Sequence, residues 1–270
     1  MLERPIITLT TDYGLKDSFV GMIKGVILGI NPQAKIIDIT HKIERHNIYE
    51  ASQVIGMSYK YFPPTAIHIA VVDPEVGGSR RPILVVTENH YFIGPDNGIF
   101  TPVFEKENNN FFKVLNLTSS HYFLPITGNT LHGRDIFAPV AAWLSKGVDS
   151  SKFGEQIFDF VKITFSNPSL SGDNIIHGEV VSFDHFGNAI TNITSETLIR
   201  LAPVDAKHKF KIKYKDQIVP FVNFYAEVKD QSLSATINGF GHLELFVNQK
   251  NAVQLFNIKP GDPLSIRVEN

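Results

Sequence analysis

The feature that most limits the fold of this chain is the order of its apolar segments between Ile6 and Val72. Ile6 to Thr10 is a short β-rich run. From Phe19 the apolar residues fall at 19, 22, 23, 26, 27 and 30, one face of a helix that Asp17 or Ser18 can cap and Asn31-Pro32 ends. Lys35 to Thr40 reads as a second strand. Asn47 and Glu50 have capping-box spacing ahead of a helix running towards Pro63, and Ala66 to Val72 is a buried strand. Strands joined by helices of this length pair in parallel through right-handed crossovers. The first half is therefore expected to be a layered α/β domain with a mainly parallel sheet.

Ile83 to Thr87, Tyr91 to Gly94 and Phe112 to Leu117 continue the strands; Asp135 to Lys146 reads as a helix with Asp135 as N-cap and Gly147 as its stop. Gly21, Gly25 and Gly29 share one face of the first helix, which suggests close packing against the sheet. Beyond Gly147 the texture turns polar and turn-rich. Ile175 to Phe183, Lys209 to Tyr214, Leu233 to Ile237, Leu243 to Val247 and Leu264 to Val268 then read as short strands. A chain of 270 residues exceeds the usual single core. We expect two domains, residues 1–164 (α/β) and 165–270 (a small β-barrel).

With no cysteine, thiolate zinc sites and thiol nucleophiles are excluded. The balance of 25 basic to 27 acidic side chains, with no basic block longer than Arg80-Arg81, gives no footprint for nucleic acid. No apolar run approaches the roughly 20 residues that span a bilayer, and Glu3 and Arg4 precede a strand-like run where a signal core would stand. A cytoplasmic protein is expected. HExxH, a Ca-loop pattern, GxGxxG and GxxxxGK[ST] are all missing.

The chemistry-bearing residues stand directly after strands: Asp12, Asp38 with His41, Asp73, Asp96 and Asp184. A parallel sheet would put Asp12, His41 and Asp73 along one rim, the edge at which α/β proteins bind ligands. Asp73-Pro74 leads through Gly77 and Gly78 to Arg80-Arg81, which is either turn chemistry or a site. Pro95-Asp96-Asn97-Gly98 is a tight-turn signal, though Asp96 could face the pocket. Asp184-His185-Phe186-Gly187-Asn188 suits a self-bonded bend. His132 lies just before a helix, whose positive N-terminus would keep it neutral and able to accept a proton.

Taken together, TTDYGLKDSFVGMIKG, VVDPEVGGSRRPI, IGPDNGIF, TLHGRDIFAPVAAW, SFDHFGNAITNI and INGFGHLELFVNQKNAV resemble, in order, the motifs of the S-adenosylmethionine (SAM) hydroxide adenosyltransferases, or SAM hydrolases. These are relatives of the fluorinating and chlorinating nucleoside enzymes. The resemblance implies an N-terminal α/β domain, a C-terminal β-barrel, a homotrimer with sites at subunit interfaces, and cleavage of SAM by water to adenosine and methionine. It implies no metal and no cofactor, SAM being the substrate. By position, Asp73, Arg80 and His132 resemble the set that handles the attacking water. Asp12 resembles the ribose carboxylate, and Asp17 and Asp184 the methionine-end ligands. Asn188 resembles an adenine or amino-acid contact, and Asn251 and Ala252 lie where the family's backbone reads the adenine edge.

Glu75 stands where the family has glycine. Gly239 stands where it has an Asn-Ser pair, so backbone N–H groups at Gly239 and Phe240 are the expected replacement for a lost hydroxyl. The halogenating relatives carry Tyr at the Asp73 position, Tyr at His132 and Ser at Gly133, so the resemblance is to the water-using branch. Two rival readings are a metal-dependent hydrolase with Asp12, Asp38, His41, Asp73 and His132 as ligands, and a non-catalytic SAM or adenosine sensor.

Overall fold

The computed structural model describes residues 5–107, 111–125, 128–172, 174–201 and 210–268. Glu3, Arg4 and Lys209, invoked above, lie outside them. The chain forms two compact units, Met1–Thr164 and Phe165–Asn270.

The first unit is built on β1 (Ile6–Thr11), α1 (Phe19–Ile30), β2 (Lys35–Thr40), α2 (Ile48–Ser58), β3 (Ala66–Val71), β4 (Pro82–Thr87), β5 (His90–Pro95), α3 (Thr101–Lys106), β6 (Phe112–Leu117), α4 (Ala138–Ser145) and β7 (Gly154–Ile157). Its seven-stranded sheet has the order β2-β1-β3-β5-β4-β6-β7. β2, β1, β3 and β5 are mutually parallel, whereas β4, β6 and β7 attach antiparallel. The sheet is covered on both faces. Ile67, Ile69 and Val71 pack with Ile23, Ile27 and the α4 side chains, and Ala70, Val72 and Phe92 pack with Ile55 and Phe104. That double cover is why β3 carries no polar alternation; its one polar residue, His68, is buried against Thr8.

Two helix expectations are corrected. The stripe of Gly21, Gly25 and Gly29 does not pack on the sheet: added β-carbons there would meet nothing within 4 Å, because α1 buries Val20, Ile23 and Ile27 instead. Asp135 does not cap a helix. It is buried inside a π-helical segment, Gly133–Phe137, that runs directly into α4, and it pairs with Arg134 (2.6 Å). Gly147 does stop α4, at φ 92°.

The second unit contains β8 (Ser169–Leu170), β9 (Ile175–Phe183), β10 (Ala189–Thr194), α5 (Ser195–Ile199), β11 (Phe210–Tyr214), β12 (Gln217–Val219), β13 (Ser234–Ile237), β14 (His242–Phe246), α6 (Ala252–Phe256) and β15 (Pro263–Val268). Its antiparallel sheet runs β12-β11-β15-β9-β10-β14-β13, with β8 beside β9. Just past β12, Pro220 O accepts from Ala235 N (2.8 Å) and Val222 N donates to Ala235 O (2.9 Å), so the chain after one edge strand meets β13 at the other. This nearly closes a barrel around Ile176, Ile212, Tyr214, Leu243 and Ile266.

Candidate active site

β1 and β3 end in register, Thr11 opposite Val71, so Asp12 and Asp73 leave the sheet at the same parallel-strand edge. After Asp73 the chain turns tightly: Gly78 N donates to Glu75 O (2.9 Å), and Gly77 adopts φ 79°. A β-carbon on Gly77 would lie 2.5 Å from Asn129 O, so only glycine fits. The loop thereby returns Arg80 to Asp73.

Arg80 Nε donates to Asp73 Oδ1 (2.9 Å) and Nη2 to Asp73 Oδ2, a bidentate pair with both side chains under 5% exposed. Nη2 also lies 2.7 Å from His132 Nδ1. A guanidinium has no acceptor, so Nδ1 must be the acceptor and the ring proton sits on Nε2. Burial, reinforced by Arg80, holds His132 below the ordinary imidazole range. It is therefore neutral, as the sequence suggests. Its Nδ1 lone pair, however, is already engaged, and the free nitrogen is a donor. The Arg80 guanidinium also faces the Phe137 ring at 5.8 Å. Its remaining nitrogen, Nη1, is buried with no hydrogen-bond partner among the described residues.

The π-helical segment sets the position of His132, and a β-carbon on Gly133 would lie 2.8 Å from Tyr13 Oη and 3.2 Å from Ile23 Cδ1. Burial, then Asp12 and Asp73, push the Tyr13 phenol well above its usual range, so it stays protonated.

Asp12, Asp17 and Asp73 line one cavity of about 330 Å³ together with Tyr13, Phe19, Arg45, His46, Val76 and Thr130. His46, at φ 66°, donates its backbone N–H to Asp12 Oδ2 (3.0 Å). Arg45 and His46 carried no motif, their only signal being that the 41–47 loop leaves the same strand edge, whereas Thr130 opens the TLHGRDIFAPVAAW motif without having been singled out. Neither Asp17 nor Ser18 makes a side-chain cap on α1. Glu75 is exposed and outside the cavity lining.

The other rim acids are committed elsewhere. Asp96 takes two bonds from Arg81 (3.0 and 2.7 Å) and one from Val161 N (2.8 Å), and Arg81 also holds Asp159 (2.7 Å), so Asp96 is a clamp and does not face the cavity. Asp38 pairs with Lys24 and His41. Among the described residues no three His, Asp or Glu side chains converge to hold a metal.

In the second unit, Asp184 Oδ1 accepts from Phe186 N (2.9 Å) and Asn188 N (2.8 Å), and Oδ2 from Asn188 Nδ2 (2.8 Å), the self-bonded bend expected of that segment. The bend presents Phe186 and Asn188 to a cavity of about 540 Å³ walled by Tyr225, Phe246, Asn251 and residues 247–250. Asn251 Oδ1 caps α6 through Gln254 N (2.8 Å), and the side-chain amide lies against Gly187; Ala252, the first helical residue, is buried.

Gly239 and Phe240 form an exposed turn. The Phe240 N–H, an expected substrate donor, is donated here to Asn238 Oδ1 (3.0 Å). Glu244, missed in the sequence, accepts from Tyr225 Oη (2.7 Å) and Asn238 Nδ2 (3.1 Å), and burial raises its carboxyl above the usual range. It was missed because a single glutamate in an alternating strand reads as solvent-facing.

The family model described as the SAM hydroxide adenosyltransferase N-terminal domain matches residues 7–154, and that of the C-terminal domain matches residues 178–265. A protein of Methanocaldococcus jannaschii named (R)-S-adenosyl-L-methionine hydrolase is 36% identical, covering 97% of this chain and 95% of its own length. One of the same name from Salinispora tropica is 30% identical, covering 98% and 99%. A crystal structure of an uncharacterized conserved protein from Thermotoga maritima superposes with TM-score 0.88 at 34% identity, covering 97% of this chain and 99% of the other.

Proposed function

Because the chain belongs to the SAM hydroxide adenosyltransferase family, we propose that it cleaves S-adenosyl-L-methionine with water at C5′ to adenosine and L-methionine. The observation that carries the mechanism is the buried Arg80, locked onto Asp73 and His132 with Nη1 still free to donate. The sulfonium leaves as a neutral thioether, so the leaving group needs neither a proton nor a metal, and no cofactor enters the proposal. The demand falls on the nucleophile. Making hydroxide from water at pH 7 costs roughly 12 kcal/mol. One cation at about 4 Å and an effective dielectric near 20 returns about 4 kcal/mol. The rest must come from in-line positioning, the substrate's own positive charge and proton acceptance late in the displacement.

In this reading Arg80 Nη1 donates to one lone pair of the attacking oxygen and leaves the other for C5′, while His132 Nδ1 holds the guanidinium in place. The water oxygen bonds to C5′ as the C5′–S bond breaks, the bond pair moves to sulfur, and the oxygen's proton passes to Asp73. Asp12, with acceptor sites beyond the one used by His46, takes the ribose diol. Asp17 or Asp184 meets the methionine ammonium. Phe186, Asn188, Tyr225 and Asn251 suit a flat, hydrogen-bonding base, with the backbone at Asn251 and Ala252 at its edge. Gly239 remains a backbone contact.

The reading includes a homotrimer with sites at subunit interfaces, on the strength of the family likeness; a monomer by light scattering refutes that part. It also includes a cytoplasmic location, checked by cell fractionation. Among the described residues no helix is long and apolar enough to cross a membrane. The test of the activity is incubation with SAM in ¹⁸O-water after exhaustive chelation. Adenosine labelled at the 5′ oxygen, with equimolar methionine, is expected. SAM binding without adenosine makes the protein a sensor, and a requirement for added metal overturns the proposal.

A further inference from the structure

His41 and Asp38 lie outside the cavity lining, yet His41 is buried against the loop that bears Asp12. Side chains three apart on a regular strand point to opposite faces. Here the β1–β2 register slips, Leu9 facing Asp38 and Thr10 facing Thr40, so Ile39 is an extra residue. Such an irregularity re-aims the residues beside it, and His41 Nε2 comes 3.1 Å from Asp38 Oδ1. That approach is off the N–H axis, an electrostatic contact more than a linear hydrogen bond. Asp38 is in turn held by Lys24 Nζ (2.6 Å).

On its other side, His41 Nδ1 is 2.8 Å from Thr11 Oγ1. Thr11 Oγ1 already accepts from Tyr13 N (3.2 Å), so its hydroxyl proton is available to point at His41. This orders the whole chain: Tyr13 N–H to Thr11, Thr11 O–H to His41 Nδ1, and the His41 Nε2–H beside the Asp38 carboxylate, backed by Lys24. The backbone repeats the link, since Gly14 N donates to His41 O (2.8 Å). The two residues flanking Asp12 are thus tied to His41, while Asp12 itself is tied to His46 (3.0 Å).

We infer that His41, with Asp38 behind it and Thr11 in front, is a positioning unit that holds the Asp12 carboxylate in the orientation required by a ribose diol. The inference rests on the proposed ribose role of Asp12.

Thr11→Val keeps the β-branched shape and removes only the hydroxyl link; Thr11→Ser keeps the link. Losing one such hydrogen bond is worth up to about tenfold in affinity. For Thr11→Val, KM for SAM and the competitive inhibition constant of adenosine should each rise about five- to tenfold, with kcat within about twofold and inhibition by methionine unchanged. Thr11→Ser should restore both constants. His41→Asn keeps an acceptor near the Nδ1 position and should fall between them. Asp12→Ala serves as the reference. If it leaves adenosine inhibition unchanged, the ribose reading itself falls. If Asp12→Ala weakens adenosine while Thr11→Val does not, the positioning inference alone is overturned, as it is if Thr11→Val weakens methionine and adenosine equally.

Discussion

Arg80→Lys keeps the charge at the centre of the site and removes its geometry. The guanidinium makes two bonds to Asp73 and one to His132, and holds Nη1 free and buried. One ammonium cannot occupy these positions together. Loss of a donor aimed at the reacting oxygen typically lowers kcat by about 10² to 10³, or about 2.7 to 4 kcal/mol of transition-state stabilisation. Asp73, its side chain 4% exposed, keeps at most one charge-assisted bond. Losing the other costs about 1.5 to 3 kcal/mol of stability, or roughly 3 to 12 °C in the melting temperature of a unit this size. Initial rates of adenosine formation across SAM concentrations should show the loss in kcat, with KM within about threefold, because Asp12 and Asp17 are untouched. Arg81→Lys is the control: it weakens the Asp96 and Asp159 clamp, should lower the melting temperature, and should keep kcat within about twofold. A lysine variant at position 80 retaining kcat within about threefold, or losing only KM, refutes the role given to Nη1.

Burial and Arg80 depress His132, so its protonation falls below the usual 6.5; kcat/KM should be flat above pH 6.5 and decline only on the acid side, a limb that His132→Asn should abolish along with about tenfold or more of kcat. Burial, then the His90 ring, pushes His68 down to about 3. Between pH 6.5 and 3 the unfolded chain binds the proton that the folded chain refuses, so stability falls with pH across that window, by about 3 kcal/mol between pH 7.5 and 4.5. His68→Gln should flatten that slope in urea titrations at the two pH values. Gly77→Ala should lower both kcat and melting temperature, because φ 79° and the Asn129 carbonyl leave no room for a methyl; crystals showing Arg80 still on Asp73 would contradict the link between loop shape and site.

Much of the α/β unit was readable because its signals are local and its core is two-sided. The unbroken apolar run at β3 is what a strand covered on both faces requires, and helical spacing from Phe19 defines the buried stripe of α1. The antiparallel entry of β4 was not read, although the two-residue link Glu88-Asn89 between β4 and β5 is hairpin length. The Asp73–Arg80 pair follows from a loop that two glycines can close. The partner of Asp96 does not, because Arg80 and Arg81 are chemically equal neighbours and only the fold decides which one turns to which acid. A π-helical turn differs from an α-helical one by a single residue per bond, so Asp135 looks like a cap while lying inside the element. The five-residue α5 and α6 helices have too few residues for a period to show.

The glycine at 133 has a consequence for how such sites can change over time. The space a side chain would need there belongs to the Tyr13 hydroxyl and Ile23, while the halogenating relatives that this chain resembles carry serine at the matching position. A serine arriving here alone would press its β-carbon against the Tyr13 hydroxyl, next in sequence to Asp12. A side chain at position 133 is therefore coupled to residues 13 and 23. The Tyr13 ring, the end of Ile23 or the π-helical turn must shift to admit it.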